Sequence, residues 1–373
     1  MIRALFVFGT RPEAIKLAPL ITEMKRRPAF QPVVCISAQH RQMLDQVLDL
    51  FSIVPEYDLN LMRPDQTLES ILSGVFAKLP SILAEVKPDV LIVQGDTTTT
   101  FAAAMSAFCQ KILIGHVEAG LRTGHKYSPF PEEINRKLTS VVTDLHFAPT
   151  AQNRDNLMRE GYPSERIWIT GNTVIDALLD VARRPYEFAD PNLTLFPGRL
   201  IMVTAHRRES FGEPFRQLCA GLAALARTHP NDTVLYPVHL NPRVQKPVRE
   251  ILSGISNIRL IEPLSYEPFV HLLKRAYLVL TDSGGIQEEA PAFGAPVLVM
   301  RETTERPEGV AAGTVKLIGT SAERIAAEAS KLLDDAPAYR AMAQAKNPYG
   351  DGTASRQICG ILEKVIPALR HCT

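Results

Sequence analysis

The sequence predicts an α/β protein made of two Rossmann-like domains whose parallel sheets face each other across a cleft. Three observations carry that expectation. Short apolar runs alternate with amphipathic segments along the chain, the pattern of strands covered by helices on both faces. The runs are nearly continuous in apolar residues, as strands buried on both sides must be. The alternation breaks around 185–197 in a Pro- and Asn-containing stretch and then resumes, and 373 residues are too many for one ordinary doubly wound domain.

Taken in order, 2–8 is the first strand and 13–27 the helix after it, with Ile15, Leu17, Leu20, Ile21 and Met24 at helical spacing. Strands at 32–37, 89–94, 112–116 and 145–148 follow, each leading into a loop and a helical stretch. The second series comprises 200–204, 233–238, 258–261, 277–281, 296–300 and 315–318. A hinge between Gly171 and Leu200 gives an N-terminal domain of 1–172 and a C-terminal domain of 173–353. The last helix, 354–369, can pack on either, so the tail 354–373 can join the first.

Composition narrows the class. With 46% hydrophobic and 22% charged residues the chain is globular in make-up, which excludes disordered and collagen-like proteins. A formal net charge of +1 offers no concentrated basic surface, so neither nucleic acid nor a membrane is expected as a partner. The five cysteines, Cys35, Cys109, Cys219, Cys359 and Cys372, are scattered without a CxxC spacing. Neither a disulfide framework nor a structural metal is expected from them. Ala4-Leu5-Phe6-Val7-Phe8 is too short for a signal-peptide core, and no apolar stretch approaches the ~20 residues that cross a bilayer. The cytoplasm is the expected compartment.

In open parallel sheets ligands bind beyond the carboxyl ends of the strands, so the polar residues just after each strand are the candidates. After the first strand, Gly9-Thr10-Arg11-Pro12-Glu13 sets Arg11 at a helix N-terminus, where anions are favoured. A plain helix start with a solvated arginine explains the same string. It is not the GxGxxG fingerprint, and none occurs elsewhere, so no nicotinamide is expected. Next comes Gly95-Asp96-Thr97-Thr98-Thr99-Thr100, in which Asp96 can cap a helix although consecutive threonines are poor helix formers. Glu118 stands at the following strand end, and Glu132 and Glu133 open a further helix. Acids gathered on one rim repel, which raises the pKa of at least one and lets it act as a general acid beside a base.

In the second domain, Asp282-Ser283-Gly284-Gly285 follows a strand and offers backbone N–H groups to a phosphate. Glu288 or Glu289, one turn later, can accept from ribose hydroxyls. His206-Arg207-Arg208-Glu209 supplies cations for a diphosphate or merely starts a surface helix, and His239 is ambiguous in the same way. By themselves these residues describe a two-domain α/β enzyme acting on a phosphorylated or nucleotide-linked substrate.

The strings at 8–16, 95–100, 116–124, 128–133, 206–212, 282–291 and 303–308 run in order from one end of the chain to the other. Together they resemble the bacterial non-hydrolysing UDP-N-acetylglucosamine 2-epimerases, a family with the glycosyltransferase-B (GT-B) fold. The resemblance implies reversible interconversion of UDP-N-acetylglucosamine and UDP-N-acetylmannosamine, which supplies N-acetylmannosamine units for surface polysaccharide. In that reaction UDP is eliminated across C1–C2, and it re-adds to 2-acetamidoglucal with a proton on the opposite face of C2. Asp96, Glu118 and Glu132 match the family's catalytic carboxylates. Lys16, Arg136 and His206 match positions that line the active site. Arg11, Ser283, Gly284, Gly285 and Glu289 match the nucleotide site, with Phe269 near the uracil. The family needs no metal or other cofactor and suggests a homodimer.

Some members are activated by UDP-N-acetylglucosamine at a second site, which Gln39-His40-Arg41-Gln42-Met43 and His239 resemble. Asp65 stands where some regulated members carry a basic residue. A carboxylate facing a diphosphate is unfavourable, which leaves activation open. A glycosyltransferase, a hydrolysing epimerase and a non-catalytic sensor are the rival readings. Incubation with UDP-N-acetylglucosamine alone separates them.

Overall fold

The structure, a computed structural model, describes residues 1–37, 41–63 and 66–369. Gln39, His40 and Asp65, compared above with a second nucleotide-sugar site, and Cys372 lie outside the described residues. The chain divides into two compact units, Met1–Ala177 with Tyr349–Thr373, and Leu178–Pro348.

The first unit is built on β1 (Ile2–Phe8), β2 (Phe30–Ile36), β3 (Tyr57–Asp58), β4 (Val90–Gln94), β5 (Leu113–Val117), β6 (Leu145–Ala148) and β7 (Ile167–Ile169). They form a 7-stranded sheet in the order β3-β2-β1-β4-β5-β6-β7. The second unit contains β8 (Leu200–Thr204), β9 (Thr233–Pro237), β10 (Ile258–Ile261), β11 (Leu278–Thr281), β12 (Val297–Val299) and β13 (Val315–Leu317). Their 6-stranded sheet has the order β10-β9-β8-β11-β12-β13. Every strand pairing in both sheets is parallel. The sequence pattern misses β3 and β7, which are 2 and 3 residues long. Runs that short leave no periodic signal.

Burial explains why the strands are so apolar. Ala4 through Phe8 of β1 are fully enclosed, between Val33 and Cys35 of β2 and Leu91 and Ile92 of β4. Leu79, Leu83, Ala103 and Ala107, from helices Leu68–Val86 and Thr98–Cys109, cover one face. In the second unit Ile201, Val203, Tyr236 and Leu280 pack with Phe215 and Leu222 of helix Glu213–Thr228. Each sheet grows to one side of its first strand and then resumes on the other, so the reversal falls between β1 and β4 and between β8 and β11. Such reversals place ligand sites in parallel sheets.

The last helix, Ala354–Leu369, packs on the first unit. Asp176 accepts from the amides of Ala354 and Ser355 at 3.2 and 2.8 Å, and Arg27 pairs with Glu363 at 3.2 Å. The division between the units falls inside helix Thr173–Arg183, which the sequence assigns whole to the second domain. An unbroken helical period carries no mark of such a boundary. Among the described residues no helix is long and apolar enough to cross a membrane.

The turn after β5 is unusual in its backbone. Glu118 has φ +65°, and Gly120 has φ +88°. A Cβ on Gly120 would stand 2.2 Å from the carbonyl oxygen of Asn153. Left-handed geometry and a backbone atom both forbid a side chain there. Gly120→Ala is therefore expected to lower stability by ~2 kcal/mol or more. Urea unfolding checks this, and an unchanged midpoint would show that the turn relaxes freely.

Candidate active site

In the first unit β1, β4 and β5 are neighbours, so the loops leaving their carboxyl ends lie side by side. Glu118 follows β5. Its Oε2 accepts from Lys16 Nζ, on helix Arg11–Lys25, and from Gln94 Nε2 at 2.5 Å. Asp96 follows β4. Its Oδ2 forms an ion pair with Arg136, and its carbonyl accepts from Asn135 Nδ2 at 3.0 Å. Both partners belong to helix Glu132–Val142, which is thereby moored to the Asp96 loop and presents half-buried Glu132 at its first position. Lys16, Asp96, Glu118, Glu132 and Arg136 thus belong to one rim. Arg11 begins its own helix directly after the β1 loop.

Two of the rim acids, Glu118 and Asp96, are paired with cations. Lys16 pairs with Glu118, and Arg136 is shared between Asp96 and Glu133, so positive charge offsets part of the repulsion among these carboxylates. The two adjacent glutamates also part ways. Glu133 is fully buried, accepts from the amides of Thr123 and Gly124 at 3.0 and 3.1 Å, and pairs with Arg136 at 3.3 Å. Its role is to hold the loop before the helix.

Near this rim, burial raises the pKa of Glu13. Its Oε2 accepts from the amides of Gly9 and Thr10 at 3.1 and 2.8 Å and from the Thr10 hydroxyl at 2.8 Å, and its Oε1 lies 2.8 and 3.0 Å from the hydroxyls of Thr97 and Thr100. These contacts explain the threonine run. Thr97 caps its helix by accepting from the Thr100 amide at 3.0 Å, and Thr99 meets Ser37 at 3.1 Å. The hydroxyls outweigh poor helix propensity. Sequence reasoning missed Glu13 because an acid in a first helical turn has an ordinary explanation.

In the second unit Asp282 is fully buried after β11, and its Oδ2 accepts from the amides of His206 and Arg207 at 2.6 and 2.7 Å. His206 stacks on His239 with ring centroids 5.3 Å apart, and its Nδ1 lies 3.7 Å from Asp282 Oδ1. Partial burial lowers the pKa of His206, Asp282 opposes that shift, and His239 and Arg207 reinforce it. Ser283 stands at the N-cap position of helix Gly284–Glu289, without a side-chain cap bond. A Cβ on Gly284 would find Arg207 Nη2 at 3.7 Å and Arg306 Nη2 at 3.9 Å, so two guanidinium groups flank the Ser-Gly-Gly turn. Arg306 also forms a buried ion pair with Glu288, whereas Glu289 turns its carboxylate toward Gly285. The residue pattern alone left Glu288 and Glu289 interchangeable, the family resemblance chose Glu289, and neither gave Arg306 a role, because its relation to Glu288 spans a loop. Phe269 is half-buried on helix Tyr266–Leu273. Among the described residues no cluster of three or more His, Cys, Asp or Glu could hold a metal.

Residues 22–363 match the family model described as UDP-N-acetylglucosamine 2-epimerase. The UDP-N-acetylglucosamine 2-epimerase of Salmonella typhimurium is 54% identical over 374 residues, covering 97% of this chain and 98% of its own. The solved UDP-GlcNAc 2-epimerase of Neisseria meningitidis, bound to UDP-GlcNAc, is 48% identical with a TM-score of 0.87, covering 97% of this chain and 100% of its own. An S. aureus protein solved with UDP is 44% identical with a TM-score of 0.88, covering 98% and 97%. A kitacinnamycin glycotransferase shares the fold alone, with 11% identity and a TM-score of 0.67 over 98% of this chain and 99% of its own.

His116 steadies the loop before Asp96, its Nε2 donating to the Gly95 carbonyl at 2.7 Å. Burial pushes its pKa down from 6.5 to about 4, although the Gly95 bond opposes the shift. Acid therefore favours the unfolded chain, which takes up the proton first. Stability is full above about pH 6.5 and falls as pH drops toward 4, by up to ~3 kcal/mol from this residue. Urea midpoints measured from pH 7 to pH 4.5 are expected to fall less steeply for His116→Gln than for the native chain, and parallel slopes would contradict the assignment.

Proposed function

The chain belongs to the UDP-N-acetylglucosamine 2-epimerase family, and from that premise we propose how it inverts C2 of its substrate's sugar. It is an isomerase of UDP-N-acetylglucosamine. The amides of Ser283, Gly284 and Gly285, with Arg207, Arg306 and His206, hold the diphosphate, and Glu289 binds the ribose. Arg11 and Phe269 complete the nucleotide site. Asp96, Glu118 and Glu132 serve the sugar, with Lys16 and Arg136 keeping two of them in place.

One carboxylate removes the C2 proton while the C1–oxygen bond breaks. The C2–H electron pair becomes the C1–C2 double bond of 2-acetamidoglucal, and UDP leaves with the electrons of the broken bond. In the return step a carboxyl group delivers a proton to the opposite face of C2 and a UDP oxygen re-forms the bond to C1. Fixed N–H donors and guanidinium groups stabilise the charge that develops on the departing diphosphate. Acid and base groups of this kind each contribute roughly a hundredfold or more. The observation that carries the reading is the pair of acids, Asp96 and Glu118, held by Arg136 and Lys16 at adjacent strand ends, with Glu132 opening the helix that bears Arg136.

Supply of N-acetylmannosamine units for surface polysaccharide and action as a homodimer rest on the family resemblance. A cytoplasmic setting is supported by Cys35, Cys219 and Cys359, free thiols within the folded units.

An NMR time course in heavy water tests the reaction. UDP-N-acetylglucosamine alone is expected to give UDP-N-acetylmannosamine with solvent deuterium at C2. Free UDP and N-acetylmannosamine at completion, or product without deuterium, would overturn the proposal. Asp96→Asn, Glu118→Gln and Glu132→Gln should each lower kcat by ~100-fold or more while calorimetry finds UDP affinity little changed.

A further inference from the structure

We propose that Glu13 is a positioning residue for this reaction: as a neutral carboxylic acid it fastens the loop after β1 to the loop after β4 and so sets Lys16 and Asp96. The inference rests on the functional reading above and adds to it. β1 and β4 are the strands between which the first sheet reverses. Loops diverge at such a point and leave a crevice, which in many α/β proteins holds ligand. Here the side chain of Glu13, 1% exposed, fills it.

The two carboxyl oxygens face different loops. Oε2 takes the amides of Gly9 and Thr10 and the Thr10 hydroxyl, all from the β1 side. Oε1 faces the hydroxyls of Thr97 and Thr100, from the β4 side. None of these partners is a cation. A buried carboxylate with only neutral partners is costly, and a proton removes that cost. The burial that raises the pKa of Glu13 acts in the same direction.

A proton on Oε1 also gives the hydroxyls a consistent order. Glu13 donates to Thr97, Thr97 donates to Thr100 at 3.0 Å, and Thr100 donates to the Gln94 carbonyl at 2.8 Å. The chain ends at the residue whose side chain donates to Glu118. Lys16 lies one turn beyond Glu13 on the same helix, and Asp96 immediately precedes Thr97. Misplacing such groups by ~1 Å can cost ~100-fold in rate.

Three substitutions and one spectrum test this. In Glu13→Gln the amide oxygen can take the three β1-side donors while the NH2 group donates to the threonines. It is expected to keep kcat within ~3-fold, with an unchanged pH profile. Glu13→Ala should lower kcat by ~30-fold or more at unchanged UDP affinity. If it fails to fold, Glu13→Asp, which keeps the acid but is one methylene short, should show the same loss of kcat. The infrared difference between native protein and Glu13→Gln at pH 7 should contain the C=O stretch of a neutral carboxylic acid. A Glu13→Gln variant as impaired as Glu13→Ala, a fully active Glu13→Ala or Glu13→Asp, or no such band would each overturn the proposal. Native protein that fails to turn over UDP-N-acetylglucosamine would instead overturn the functional reading, and the infrared band would still decide whether Glu13 is neutral.

Discussion

Where a parallel sheet reverses its growth, the loops of two central strands part and leave backbone amides without strand partners. In both units one buried carboxyl group spans that gap. Glu13 ties the β1 loop to the β4 loop, and Asp282, at the end of β11, takes two amides of the β8 loop. Each tie anchors candidate residues of its own unit. Asp96 and Lys16 are placed from the first, His206 and Ser283 from the second. The solutions differ in kind: Glu13 is met by hydroxyls on one side and amides on the other, whereas Asp282 Oδ1 has no hydrogen-bond partner among the described residues and faces His206.

Much of this was legible in the sequence for a simple reason. Strands such as β1, β4 and β8 are buried on both faces, so they appear as unbroken apolar runs, and the residues after them are the loop residues at the sheet's carboxyl edge. Arg11, Asp96, Glu118, His206 and Ser283 could be found by that rule alone. β3 and β7 could not, being too short to carry a pattern. What individual acids do was also hidden. Glu13, Glu132, Glu133, Glu288 and Glu289 all read as ordinary acids near helix starts. Only three-dimensional partners distinguish the one buried among threonines from the ones that hold a loop, pair with Arg306 or turn toward a glycine.

The shared fold with an 11% identical glycotransferase shows how little the scaffold itself decides. A parallel sheet with a Ser-Gly-Gly turn suits many nucleotide-linked substrates. In the proposed reading the cation-paired acids of the first unit direct the chemistry toward moving protons at carbon, and they stand on loops that the fold leaves free to vary.

The return of helix Ala354–Leu369 to the first unit has a bearing on biosynthesis. The second unit is complete in sequence once Pro348 has left the ribosome, but the first unit, translated earlier, still lacks the segment whose amides bond Asp176 and whose Glu363 pairs with Arg27. The N-terminal half must therefore wait, with a helix face uncovered, through the translation of roughly half the polypeptide, and a prematurely stopped chain would be defective in the half that was made first.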